Sequence, residues 1–150
     1  MKISLKATYG ILAALDLALN GGTSPVQAKM IAKRQAIPLR FLEQVLNVMK
    51  NAGLVDSLRG AQGGYLLGKL PEEISLADIV EALDGTLSQP NGHRGTTRQL
   101  QGLSKPALLL ADVWEQVRQA ELGVLTSVTL RELAERHQQL DRERTLMYHI

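Results

Sequence analysis

Apolar residues recur at helical spacing near the start of the chain. Tyr9, Ile11, Leu12, Leu15 and Leu19 share one side of a helix predicted from about Ser4 to Asn20, and Gly21-Gly22 stops it. Ser24-Pro25-Val26-Gln27 then offers an N-cap serine, a proline at the first helical position and a capping-box glutamine, opening a short helix to about Arg34. Gln35-Ala36-Ile37 makes a turn. Pro38 marks another helix start, and Leu39 to Ala52 follows, ended by Gly53 where a left-handed residue is wanted. Two short helices joined by so tight a turn form a helix-turn-helix.

The pattern then changes period. Leu54 to Leu58 reads as a short strand, Arg59-Gly60-Ala61-Gln62-Gly63-Gly64 as a glycine-rich turn and Tyr65-Leu66-Leu67 as the returning strand, so the hairpin is a wing. Ser75-Leu76-Ala77-Asp78 caps a helix through Leu83 that Gly85 ends. From Thr86 to Leu103 there is no periodicity, which makes a loop of uncommon length. Leu108, Leu109, Ala111, Val113, Trp114, Val117 and Ala120 predict a helix from Ser104 to about Leu122, with more apolar coverage than one stripe needs. Thr129-Leu130-Arg131-Glu132 is a capping box for a last helix to about Leu140, beyond which a charged tail should fray. The expected architecture is mainly α with a small β-wing: a winged helix-turn-helix over residues 1–85, a loop over 86–103, dimerisation helices over 104–140 and a tail over 141–150.

Within the second helix of the pair, Leu39, Phe41, Leu42, Val45, Leu46, Val48 and Met49 are assigned to the core, leaving Arg40, Glu43, Gln44, Asn47 and Lys50 as a polar face. An amphipathic helix always has such a face, but this one carries the right chemistry for base edges. Arg pairs bidentately with guanine, Gln or Asn with adenine, and Glu accepts from cytosine in the major groove. The wing adds Arg59 at a hairpin corner where Gly60, Gly63 and Gly64, with Tyr65 beside them, let backbone approach another surface. An arginine there either stays solvated or enters a narrow minor groove, whose negative potential attracts it.

Charge favours the nucleic-acid alternative. Residues 1–70 hold nine Lys or Arg against Asp16, Glu43 and Asp56, a balance of +6, whereas the rest of the chain totals −4. That is the layout of a polyanion-binding head on a solvated interaction region. At 150 residues the chain buries roughly 70% of its unfolded surface without covalent staples. There is no cysteine, which excludes disulfides, a cysteine nucleophile and any cluster held by thiolates. His93, His137 and His149 stand too far apart for a helical ligand pair and are taken as surface residues, so no metal site and no cofactor are expected. Lys2, Lys6 and the apolar stretch Tyr9 to Leu19 resemble a signal peptide superficially, but Asp16 interrupts the run and no A-x-A pattern follows. With no run near the ~20 apolar residues that cross a bilayer, a soluble cytoplasmic protein without a membrane partner is expected.

Lys6-Ala7-Thr8-Tyr9-Gly10, Pro38 to Leu46, Ala52-Gly53-Leu54-Val55, Arg59-Gly60 with Gly63-Gly64-Tyr65-Leu66-Leu67, and Ile74 to Gly85 ahead of Trp114 and Thr129-Leu130 together resemble the Rrf-type winged-helix transcriptional regulators of bacteria. The resemblance spans nearly the whole chain, and the wing string is its most specific part. It implies that Arg40, Glu43 and their neighbours lie in the major groove, that Arg59 probes the minor groove, and that the long helix around Trp114 pairs with that of a second copy, through Leu108, Val113, Trp114 and Val117. The chain departs from the pattern where cluster-binding members carry three cysteines in the loop after Gly85, and often a histidine three residues before the tryptophan. Here Thr86 to Lys105 holds no cysteine and Ala111 takes the histidine's place, so cluster sensing does not carry over. The loop offers Asn91, His93, Arg94, Thr96, Thr97 and Arg98 instead, which either bind an anion or remain mobile.

The expected function is therefore a homodimeric, sequence-specific regulator of transcription, a repressor on palindromic double-stranded DNA, answering to a protein partner or a small-molecule effector. The alternative is an interaction module whose winged helix docks a metabolic enzyme. No nucleophile and base are arranged for catalysis, so no catalytic residue is assigned.

Overall fold

The computed structural model describes residues 2–87 and 101–149. Ser4 begins α1 (Leu5–Asn20): its hydroxyl accepts from the Ala7 N–H at 3.0 Å, while its own N–H and hydroxyl donate to the carboxylate of Asp84. Asp84 ends α4 (Leu76–Asp84), so one serine both caps a helix and ties it to another. Ala7, Gly10, Ala13 and Ala14 make the buried side of α1 flat. At Gly10 a β-carbon would run into the side chains of Leu83 and Ile79, so glycine lets α4 lie close without their moving.

α2 (Ala28–Gln35) starts later than the capping signals predict. Val26 is extended and exchanges two backbone hydrogen bonds with Tyr65, at 2.9 and 2.8 Å, so Pro25 lies outside the helix and Gln27 caps it without a side-chain bond. A local capping preference has yielded to pairing with the wing. Ala36 takes a left-handed conformation (φ 52°) and turns the chain into α3 (Leu39–Asn51), where Leu42, Val45, Leu46 and Met49 are buried. Gly53 follows with φ 78°, as the sequence requires.

The wing is an antiparallel pair, β1 (Val55–Leu58) and β2 (Gly64–Leu67), in the register Val55↔Leu67 to Leu58↔Gly64. Pro71–Glu73 forms a 3₁₀ turn absent from the sequence-based assignment. The Ser75–Asp78 capping box opens α4 with both reciprocal bonds present.

α5 (Lys105–Ser127) and α6 (Leu130–Tyr148) are both longer than predicted. Past Leu122, α5 continues because Leu125 still packs on the core. The charged residues after Leu140 belong to α6 rather than to a frayed tail; its Arg131–Glu135, Arg136–Glu132 and His137–Asp141 pairs are spaced i, i+4, which supports an exposed helix. Where α5 meets α6 the backbone is stitched to the head: Leu76 N–H donates to Val128 and Leu130 N–H to Ile74, each at 3.0 Å, and Leu130 is fully buried in the core. The predicted loop mostly lies outside the described residues, among them Asn91, His93, Arg94, Thr96, Thr97 and Arg98. Leu87 at its start is held by its N–H to Glu81 and by its carbonyl, which accepts from Arg118 at 3.0 Å.

Candidate nucleic-acid interface

The helix pair is oriented by a buried carboxylate. Asp16 on α1 has no exposed surface, and accepts from Arg34 Nε and Nη2 at 2.9 and 2.7 Å and from Gln35 Nε2 at 2.9 Å. Both donors stand at the end of α2, immediately before the left-handed Ala36. Burial acts to raise the Asp16 carboxyl, but the hydrogen bonds from Arg34, Gln35 and Asn20 and the guanidinium charge outweigh it and hold the group below its ordinary value. Arg34 is raised in turn, chiefly by the hydrogen bond to Asp16. In the sequence Asp16 is only a break in an apolar run; its partner eighteen residues on turns it into the brace of the motif.

On the outer side of α3 the structure brings together Arg40, Glu43, Gln44, Asn47 and Lys50, all exposed. Arg40, Lys50 and Arg59 have no carboxylate partner among the described residues, so these cations stand ready for an external anion. Arg59 and Gly60 are exposed at the hairpin corner, Gly60 with φ 109°. Gly63, Gly64 and Tyr65 are half-buried. Gly64 lies against the Val26 backbone so closely that a β-carbon would strike its carbonyl, and Tyr65 makes the bridge to Val26. Gly64 and Tyr65 fasten the wing to the head, Gly63 closes the hairpin turn by donating its N–H to the Gly60 carbonyl, and Arg59 and Gly60 are exposed at the corner. The helix before the turn exposes Lys29 and Lys33, which entered the sequence reading only as charge.

Phe41 departs from its core assignment. It is 37% exposed and its ring meets Tyr9 edge-on, centroids 5.5 Å apart and planes at 81°. At about 100° per residue, Phe41 sits at the border of the polar face rather than beneath it. A helical wheel centred on Arg40, Gln44 and Asn47 carries that signal.

α5 buries no residue completely; Ala107, Ala111, Glu115, Arg118, Leu122 and Leu125 form its partly covered side. The opposite side exposes Leu110, Val113, Val117, Ala120 and Val124, spaced alternately three and four apart. That is the a/d spacing of a helix-pairing seam, about 21 Å long at ~1.5 Å per residue. Trp114, 57% exposed, flanks the stripe, whereas Leu108 points about 180° away from Val117. Of this stripe the sequence pattern already named Val113, Val117 and Ala120, while Leu110 and Val124 were not named, because broad apolar coverage obscured the 3-4 rhythm.

A helix-turn-helix with an exposed polar second helix and an arginine-tipped wing defines a winged-helix DNA-binding regulator of transcription, not an enzyme. The chain belongs to the Rrf2 family, described as an iron-dependent transcriptional regulator, which residues 3–136 match. It is 37% identical over 134 residues to the HTH-type transcriptional regulator CymR of Bacillus subtilis, covering 89% of this chain and 90% of that one. It is 36% identical over 143 residues to the regulator IscR of Klebsiella pneumoniae, covering 94% and 84%. Among solved structures it resembles CymR, the global cysteine regulator of B. subtilis (TM-score 0.77, 36% identity, 90% of this chain and 97% of that one). It also resembles T. potens IscR (TM-score 0.74, 36% identity, 93% and 90%).

The family description implies iron, and the donor set of this chain does not suit a thiolate-held cluster. There is no cysteine, and among the described residues no group of three or more His, Asp or Glu is placed to hold a metal; His137 and His149 are exposed and apart. Protein purified without oxygen is expected to carry far less than one iron per chain, with no acid-labile sulfide and no visible absorption band; stoichiometric iron and sulfide would overturn this assessment. No described helix is long and apolar enough to cross a membrane.

Proposed function

We propose that the chain is a cytoplasmic homodimeric repressor that occludes a promoter by binding a palindromic site, without an iron-sulfur cluster. The observation that carries this reading is the polar face of α3 and the wing-tip Arg59, exposed on one braced head and without an ion pair among the described residues. Arg40, Glu43 and Gln44, in the first turns of α3, are the groups that reach base edges, as the N-terminal residues of recognition helices do. Asn47 and Lys50 continue that face toward bases and phosphates. Arg59 enters the adjoining minor groove with Gly60. The apolar stripe of α5, with Trp114 at its edge, joins two copies and sets two heads on one duplex.

Gel-shift titration over a salt series tests the division of labour. Arg40→Ala is expected to cost about 1–3 kcal/mol on the preferred duplex and to relax preference at one or two base pairs, with non-specific binding much less affected. Arg59→Ala is expected to weaken binding most where the flank is A·T-rich, and replacing that flank should make the wild type behave like the variant. Log affinity should fall with log salt by about 0.9 per phosphate neutralised. If both variants bind every duplex as the wild type does, these groove assignments fail.

A further inference from the structure

Phe41 is the only phenylalanine of the chain, and it is not spent on the core. Below it, Leu42, Val45, Leu46 and Met49 are fully buried and form the core side of α3, to which this ring does not belong. The ring stays partly in water on the first turn of α3, next to Arg40 and one turn before Gln44, at the border of the face assigned to base contacts. Its edge-on contact with Tyr9 fixes it on the half-buried side of α1. A rigid, exposed apolar group in that place has one natural counterpart in a major groove otherwise lined by donors and acceptors: the C5-methyl of thymine.

We infer that Phe41 is a specificity-determining residue that reads a thymine methyl, next to the polar contacts of Arg40 and Gln44. An A·T pair shows adenine N6 and N7 and the thymine methyl on the same groove edge. Gln44 can take the adenine while Phe41, one turn earlier and about 60° around the helix, covers the methyl of that pair or of its neighbour. Pre-fixing by Tyr9 means that little rotational freedom remains to be lost on contact. The inference rests on the reading of α3 as the major-groove helix.

The experiment selects a duplex from a randomised library with the full chain, then replaces each thymine singly by deoxyuridine, which keeps base pairing and removes only the methyl. The wild type is expected to lose about three- to five-fold in affinity at one or two thymines, the scale of one apolar carbon removed from water. Phe41→Ala should bind the parent duplex with a similar loss and be indifferent to deoxyuridine there, while still discriminating base changes at the Arg40 and Gln44 positions. Phe41→Gln, which keeps the bulk of the side chain, serves the same comparison if the alanine variant does not fold. Wild type indifferent to every methyl, or a Phe41 variant with the full deoxyuridine penalty, overturns the inference while leaving α3 as the reading helix. Failure to enrich any duplex would instead sink the DNA-binding reading, and this inference with it.

Discussion

Arg34→Ala is expected to destabilise the protein by about 3 kcal/mol or more, the range seen when one partner of a buried ion pair is removed. The asymmetry of the pair decides which deletion is worse. Arg34 keeps 34% of its side chain in water, whereas Asp16 keeps none. Removing Asp16 leaves a guanidinium that can turn outward, so Asp16→Ala should cost only about 1–3 kcal/mol. Removing Arg34 leaves a fully buried carboxylate without its counter-charge, held only by the hydrogen bonds from Gln35 and Asn20. The pH dependence follows the same logic. In the wild type the folded-state pKa of Asp16 is lowered, so its contribution is fully present above the ordinary carboxylate range near ~3.9 and is lost as pH falls through the lower folded value. Without Arg34, its hydrogen bond and its charge no longer lower the group, so the carboxyl moves up from the wild-type value and the variant lacks this pH-dependent contribution. The stability gap between the two proteins should widen from about pH 3 to pH 7. Urea unfolding at several pH values would show it; an equal or larger loss in Asp16→Ala would contradict the account.

Val117→Asp is expected to convert a dimer to a monomer at micromolar concentration and to lower affinity for a two-half-site duplex by roughly 10²–10⁴-fold, the advantage of tethering two sites. Val117 lies mid-stripe, 44% exposed in the single chain, so an aspartate there is tolerated by one copy and intolerable between two. Leu108→Asp, on another side of α5, should leave the dimer intact. Sedimentation of both variants, with circular dichroism to confirm helix content, separates assembly from folding. A Val117→Asp protein that still sediments as a dimer would remove the stripe from the interface.

The elements that were legible in the sequence are those whose ends carry their own chemistry. Ser4, Ser75 and Thr129 cap helices, Gly53 stops one, and the glycines after Arg59 turn the wing; all act within a few residues. The face of α3 was legible because helical spacing alone puts Arg40, Glu43, Gln44, Asn47 and Lys50 together. What was missed depends on distant partners. Val26 is drawn out of the predicted α2 by Tyr65, Asp16 finds Arg34 across the helix pair, and Gly64 lies against the Val26 backbone from the other end of the motif. Phe41 was misplaced because hydrophobicity was taken as burial, although the wheel puts it at a boundary. The length of α6 was missed because charges at i, i+4 look like a solvated tail until they are paired.

The stitch between Ile74–Leu76 and Val128–Leu130 also orders events during synthesis. Leu130 belongs to the buried core that also holds residues of α1, α3 and α4, yet it is made long after the wing and α3. A nascent chain that stops short of it has a hole where that side chain belongs, and deleting a buried leucine side chain costs about 2–5 kcal/mol. Incomplete chains therefore carry a weakened core, so that the head reaches its full stability only once the first turn of α6 has been made.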